Sequence, residues 1–230
     1  MHITSKISGI VAICLCVVSG NETTIYDIYH SENVKQFYLS LSKYRKLIKF
    51  IESDKITANE LEQLIANDPE MHTLINSDVL KFPEIKDTPK HPVQLAVNLA
   101  KADKLKVLLN YRTKDINTIK CLGHGRLTKS AIDAGALDIL TILLDKGADV
   151  NCCDYLNGFT CLMYAVHKND ADAVLLLLNR GVDVNFLSVD VNPEVDRIFS
   201  ALDVAKWKRN QDLYNLLVKY GAKQSTNLEK

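Results

Sequence analysis

Cysteine and histidine residues in the middle of the chain are the first candidates for chemistry. Cys121 and His124 form a Cys-x-x-His pair, Cys152 and Cys153 are adjacent, and Cys161 follows. A structural zinc site needs four ligands that converge tetrahedrally. No second pair matches Cys121 and His124, and adjacent cysteines point to different sides of an extended chain. We therefore favour buried thiols over zinc. The alternative is a disulfide from Cys121 to Cys152 or Cys153, which requires an oxidising compartment.

Catalytic motifs are the second possibility. The six histidines include no His-x-x-x-His pair, and the sequence contains no H-E-x-x-H, G-x-S-x-G or phosphate-loop motif. A nucleophilic Cys161 beside His167 would need a third orienting group and an exposed pocket. We assign no catalytic, cofactor-binding or metal-binding residue, and we expect a protein that is not an enzyme and needs no cofactor.

A basic cluster surrounds the single tryptophan. Lys206, Lys208 and Arg209 flank Trp207, and such a group could stack on nucleic-acid bases. However, the 28 basic residues of the chain balance 28 acidic ones, so no excess charge attracts nucleic acid. We favour a solvated basic face and expect no nucleic-acid partner.

The first twenty residues have the composition of a secretory signal. Lys6 precedes an uncharged run over residues 7–20, which ends in Val18, Ser19 and Gly20. The run is too short to span a bilayer. It predicts cleavage after Gly20, a mature chain with no stable membrane span, and a secreted or periplasmic location. The alternatives to a signal are a buried element of the domain or an uncleaved anchor. The alternative location is the cytoplasm.

The second half of the chain contains a repeated sequence motif. The phrase at residues 142–151, ILLDKGADVN, returns at 176–185 as LLLNRGVDVN. Gly147 and Gly181 are 34 residues apart, whereas Gly181 and Gly221 are 40 apart. A period near 33 is typical of units with two helices. The glycines should cap second helices in the left-handed conformation. Small residues should lie inside first helices, where larger side chains would separate the units: Ala96, Ala131, Ala165 and Ala205.

These motifs resemble the ankyrin family over residues 87–223. The best copy begins with Gly158-Phe159-Thr160-Cys161-Leu162, where the family has G-x-T-P-L, and ends with GVDVN at 181–185. The resemblance implies an all-α solenoid of about four helix-turn-helix repeats with β-turn or hairpin fingers. The expected repeats cover approximately 91–117, 126–151, 158–185 and 200–223, followed by a tail at 224–230.

Residues 21–86 are expected to form an N-terminal helical cap or a degenerate repeat. Residues 33–52 have a helical apolar period, and Thr57 and Glu60 form a capping-box pattern before a second helix. A third helix is expected at 71–82. We identify no separate hydrophobic core here, so the cap should pack on the first repeat.

The resemblance also implies a protein-binding surface on the fingers and the groove lined by first helices. The 40-residue step predicts an extended finger at 186–199 with an acidic tip. Alternatively, the insertion has no ligand, and Phe159 and Trp207 only shield the stack. The expected partner-binding residues are Tyr155, Asn157, Phe159, His167, Lys168, Asp190, Glu194, Trp207 and Lys208.

The sequence therefore favours a monomeric, exported module that binds another protein. One alternative is an envelope accessory or immunity-type protein that holds an enzyme or toxin. A metal-binding protein or enzyme that uses residues 21–86 is less favoured, because no catalytic constellation occurs there.

Overall fold

The computed structural model describes residues 32–76, 91–119, 127–153, 158–189 and 198–225. Within them the chain is mainly helical, with one short pair of antiparallel strands. The helices are α1 (Glu32–Glu52), α2 (Ala58–Ala66), α3 (Pro69–Asn76), α4 (Pro92–Asn98), α5 (Ala102–Tyr111), α6 (Leu127–Asp133), α7 (Leu137–Asp145), α8 (Cys161–Lys168), α9 (Ala171–Asn179), α10 (Ala201–Trp207) and α11 (Gln211–Lys219). A 3-10 turn spans Ile116–Thr118, and strands β1 (Ser188–Val189) and β2 (Ile198–Phe199) pair antiparallel. No described helix is long and apolar enough to cross a membrane.

The helices stack in two rows, which is the arrangement that the repeats predict. First helices α4, α6, α8 and α10 pack on one another in order, and second helices α5, α7 and α9 form the parallel row. All four predicted small residues, Ala96, Ala131, Ala165 and Ala205, are fully buried in the first row. Leu143 and Leu177, from α7 and α9, are fully buried as well. The stack therefore has one continuous core.

The N-terminal helices extend both rows. Helix α1 packs on α4, and α2 packs on α5. The predicted capping box is confirmed, since Thr57 Oγ1 accepts from Glu60 N and Glu60 accepts from Thr57 N. The third helix begins at Pro69, two residues before the predicted start. Its predicted end at residue 82 lies outside the described residues.

A buried lysine fixes the end of α1 against α5. Lys104 Nζ donates to the carbonyls of Phe50 at 2.6 Å and Ser53 at 2.5 Å. These carbonyls end α1 and would otherwise lack helical partners. Burial and the charge of Lys101 lower the pKa of Lys104. Sequence patterns do not predict this lysine in the interior, because lysine is almost never fully buried unless it is paired.

Asparagine side chains connect the turns of successive units. Asn117 Oδ1 accepts from Asp149 N at 2.8 Å, Asn151 Oδ1 from Asp183 N at 2.7 Å, and Asn185 Oδ1 from Lys223 N at 2.8 Å. The glycines before these turns have the expected left-handed backbone, with φ of 84° at Gly147, 75° at Gly181 and 85° at Gly221. Each turn is thus stabilised by the left-handed backbone of its glycine and by a hydrogen bond to an asparagine of the neighbouring unit.

The expectation of buried thiols was wrong for Cys152 and Cys161. Cys152 and Cys161 form a disulfide with their Cα atoms 5.8 Å apart, instead of remaining thiols or pairing with Cys121. The reason is local, because Cys153 and Thr160 form a β-bridge that brings the two sides of one finger together. Thr128 Oγ1 lies 2.8 Å from Cys152 Sγ and 3.2 Å from Cys161 Sγ. Cys121 and His124 lie outside the described residues.

A two-stranded stem lies where the 40-residue step predicts an extended finger. Ser188 pairs with Phe199 and Val189 with Ile198, so β1 and β2 form the stem. Ser188 Oγ donates to the carbonyl of Gly158 at 2.6 Å, which fixes this stem against the preceding finger. The acidic tip, with Asp190 and Glu194, lies outside the described residues.

Candidate functional site

Aromatic rings from three adjacent segments form a row across the last two repeats. Phe159 lies against Phe199 of the extended finger, with ring centroids 5.7 Å apart, and against His167 at 6.1 Å. His167 in turn lies 5.7 Å from Trp207. The structure thus brings together three of the predicted partner-binding residues, Phe159, His167 and Trp207. We call the surface formed by Phe159, Tyr164, His167, Lys168, Trp207 and Lys208 the aromatic–basic face.

Helix caps set the positions of these rings. Thr160 caps α8, since its hydroxyl accepts from Met163 N at 3.2 Å, and this start places His167 in the last turn. A second capping box, from Ser200 and Asp203, begins α10 and places Trp207 at its last residue. Because α8 and α10 pack side by side, the last turns of both helices present their side chains at one surface.

Trp207 is the most exposed large apolar residue of the described chain, with 69% of its surface accessible. More than two thirds of its surface is therefore open to contact by another molecule. Phe159, Tyr164 and His167 are half-buried, and His167 lies against the indole of Trp207. A tryptophan exposed to this extent beside other rings is typical of a binding surface, because interfaces concentrate binding energy in such residues.

Charged side chains border the rings. Lys168 Nζ lies 3.1 Å from Asp133 Oδ1, and Lys129 Nζ lies 2.9 Å from Asp133 Oδ2. Lys129 also lies over the ring of Tyr164, with its Nζ 4.3 Å from the centroid, in a cation–π contact. These interactions extend the face from α8 and α10 onto α6.

Burial lowers the pKa of His167 from its ordinary value of 6.5, and the positive charges of Lys208 and Lys168 lower it further. The imidazole is therefore mainly neutral at pH 7, and it contributes an uncharged ring with one donor and one acceptor.

The face is open rather than enclosed. The depression lined by Lys129, Phe159, Thr160 and Tyr164 above the disulfide has no room even for a water-sized ligand. Among the described residues, no group of three or more His, Cys, Asp or Glu side chains could hold a metal ion. The geometry suits contact with another macromolecular surface.

Sequence reasoning located part of this surface. Phe159, His167, Lys168, Trp207 and Lys208 are described, whereas Tyr155, Asn157, Asp190 and Glu194 lie outside the described residues. The predictions missed Tyr164, Phe199 and the cation–π contact of Lys129. Tyr164 could have been found, because it lies three residues before His167 and so on the same side of α8.

Comparison with known proteins identifies the repeats. A sequence profile of the family described as ankyrin repeats (3 copies) matches residues 93–188 and 129–227, which together cover more than half of the chain. The chain belongs to the ankyrin-repeat family. Ankyrin repeats indicate a protein–protein interaction module, and the repeats themselves are generally non-enzymatic.

Similar ankyrin segments occur in otherwise different proteins. An ankyrin repeat protein of fowlpox virus is 33% identical over 95 residues, which is 40% of this chain and 12% of the viral protein. The mouse B-cell lymphoma 3 protein homolog is 31% identical over 98 residues, 40% of this chain and 22% of its own length. The rat ankyrin repeat and SAM domain-containing protein 6 is 29% identical over 89 residues, 39% of this chain and 10% of its own length. The matches thus cover a small part of each relative.

Proposed function

We propose that this ankyrin-repeat chain is a non-enzymatic, monomeric module that binds a partner protein through the aromatic–basic face. The observation that carries the proposal is the exposed indole of Trp207, which lies beside His167 at the ends of two adjacent first helices. Truncating an aromatic residue at the centre of an interface commonly costs more than about 2 kcal/mol of binding free energy.

The fingers are part of the same proposed surface. Phe199 at the base of the extended finger contacts Phe159, so the stem continues the row of rings. We include Tyr155 and Asn157 of the preceding finger, and Asp190 and Glu194 of the acidic tip, as further partner contacts. Fingers and the first-helix groove would then form one continuous surface.

Partner capture by matched variants tests this function. The Trp207→Ala variant should weaken capture of a partner from the native source by about tenfold or more. Val218→Ala is the control, because Val218 is also an exposed apolar residue, at 47%, but lies on second helix α11. Both variants should retain the circular dichroism and thermal unfolding of the original chain. Equal capture by both variants would contradict the proposal.

We also propose that the chain is exported. The support is the signal-like pattern of residues 1–20, together with the Cys152–Cys161 disulfide, a bond that persists mainly in oxidising compartments. Sequencing the N-terminus of protein from the native source should give Asn21 as the first residue. An intact Met1 in a cytosolic fraction would contradict export.

A further inference from the structure

The Cys152–Cys161 disulfide lies directly beneath the aromatic–basic face. Both cysteines line the same shallow depression as Phe159 and Tyr164, and Lys129 borders it. Phe159 precedes Cys161 by two residues in the same finger. Separating the two sulfurs would therefore loosen the segment that carries one ring of the face.

Two backbone contacts accompany the disulfide across this finger. Cys153 and Thr160 form a β-bridge, and Cys161 N donates to the carbonyl of Cys152 at 3.0 Å. A pair of strands as short as this is marginally stable at best without further support. The disulfide is the covalent link between the two sides of the finger, and it therefore contributes strongly to the position of Phe159.

The surroundings of the two sulfurs suit the reduced state as well. Thr128 Oγ1 lies 2.8 Å from Cys152 Sγ and 3.2 Å from Cys161 Sγ, so its hydroxyl can donate to a thiolate at either position. Cys161 is the first residue of α8, where the positive end of the helix stabilises an anion. A disulfide is easier to reduce when its reduced form is stabilised in this way.

We propose that the Cys152–Cys161 disulfide is a redox switch of the aromatic–basic face, which holds Phe159 against His167 when it is intact and releases that ring when a dithiol reduces it. The inference rests on the proposed function and adds its regulation. The ring centroids of Phe159 and His167 are 6.1 Å apart, and His167 contacts Trp207. Loss of order at Phe159 would therefore reach the centre of the face.

The reduction is a thiol–disulfide exchange in two steps. One thiolate of the dithiol attacks Cys152 Sγ, the bond between the two sulfurs breaks, and Cys161 leaves as a thiolate at the start of α8. The second thiol of the dithiol then displaces Cys152. The dithiol becomes a disulfide, and its two electrons and two protons pass to the two cysteines. The reverse exchange, with a disulfide as the acceptor, forms the bond again.

Access to the sulfurs couples this exchange to movement of the finger. Cys152 and Cys161 are each only 2% exposed, and the depression above them has no room for a water-sized molecule. A dithiol therefore reaches them only when the finger opens locally. Once the bond is broken, the open finger is no longer held closed by a covalent link.

Titration of His167 tests the switch in the full chain. The imidazole Hε1 proton is followed by NMR with and without excess dithiothreitol, and mass spectrometry after alkylation shows which cysteines are reduced. Reduction should raise the pKa of His167 toward 6.5, because the burial that lowers it diminishes when Phe159 is released. Circular dichroism should show that the helices persist.

Two variants separate this bond from other effects of the reductant. Cys152→Ser combined with Cys161→Ser should give the reduced-state pKa of His167 both with and without dithiothreitol. Cys153→Ser should respond as the original chain does, because it retains the disulfide. Reduction of the original chain tests the proposal without any substitution, so a double variant that fails to fold leaves that result intact.

Partner capture provides the functional measurement. Reduction should weaken capture of a partner from the native source by about tenfold or more, because a segment that must be ordered on binding lowers the affinity. The inference would be overturned by a disulfide that dithiothreitol does not reduce in the folded chain, by an unchanged pKa of His167 after reduction, by loss of the helices on reduction, or by an equal response of the double serine variant. If Trp207→Ala weakens capture but reduction does not, the face binds protein and only its redox control is wrong.

Discussion

The imidazole of His167 lies 5.7 Å from the indole of Trp207, although the two residues belong to adjacent repeats. Lys208 follows Trp207 directly, so its positive charge acts on the imidazole from the neighbouring helix. The protonation of His167 in one repeat therefore depends on side chains of the next repeat. The pKa of His167 should respond to charges placed on the face.

The first prediction concerns the titration of His167. Because burial and two lysines disfavour the charged imidazole, its pKa in the folded chain should lie below 6.5. The unfolded chain then binds the proton more readily, so the stability that His167 contributes is present above about pH 6.5 and is lost as the pH falls below it. Lys208→Gln should raise the pKa, which NMR titration of the imidazole Hε1 proton measures directly. A midpoint above 6.5, or one unmoved in this variant, would contradict the assignment.

The second prediction compares two leucines of the same helix. Leu177 of α9 is fully buried, whereas Leu175 is 40% exposed. Leu177→Ala should lower the free energy of unfolding by about 2–5 kcal/mol, because truncation leaves a cavity between repeats. Leu175→Ala should cost less than about 1 kcal/mol. Urea unfolding followed by circular dichroism gives both values, and similar losses would mean that the buried side of the helix is misassigned.

The third prediction concerns the joint between the N-terminal helices and the first repeat. Asn76 Oδ1 accepts from Thr113 N at 2.7 Å, and its amide donates to the carbonyl of Tyr111 at 3.0 Å. Asn76→Ala should therefore destabilise the chain by about 1–3 kcal/mol. It should also speed hydrogen exchange at the Thr113 amide.

Asn215→Ala is the control for that joint, since Asn215 is exposed and bonds only to Gln211 of its own helix among the contacts described. We expect it to change the free energy of unfolding by less than about 0.5 kcal/mol. Unchanged protection of Thr113 in the Asn76 variant would show that Asn76 is not needed to hold this joint.

The fourth prediction concerns the Cys152–Cys161 disulfide. It closes a loop with a sequence separation of 9 residues, and a loop of this length predicts about 2–3 kcal/mol of stabilisation through the unfolded state. Peptide mapping of the non-reduced protein should recover these two cysteines linked, and reduction should lower the thermal midpoint. Finding Cys152 linked to Cys121 would instead support the pairing that the sequence offered as the alternative to buried thiols.

Sequence reasoning predicted the elements that require the same kind of residue at the same place in every repeat. A second helix followed by a turn favours glycine, as at Gly181, and close first helices need a small residue, as at Ala165. These requirements act within a few residues, so they leave a periodic pattern. The exposed Trp207 was found for a similar reason, because its place in the repeat assigns it to the groove.

Contacts between distant segments leave no periodic pattern in the sequence. Lys104 meets the end of α1 across more than fifty residues, and nothing in its own helix distinguishes it from an exposed lysine. The Cys152–Cys161 pairing depends on the turn of a single finger. Phe199 joined the row of rings because the stem formed by β1 and β2 contacts the preceding finger, and the length of an insertion does not predict that contact.

Site-specific photo-crosslinking tests the central claim most directly. A benzoylphenylalanine at position 207 should crosslink the native partner in extracts of the source, because that side chain lies at the centre of the proposed face. The same group at position 218, on exposed second helix α11, should crosslink far less. Mass spectrometry of the adducts identifies the partner. Strong crosslinking at 218 with none at 207 would contradict the account, because the partner would then bind the second-helix row.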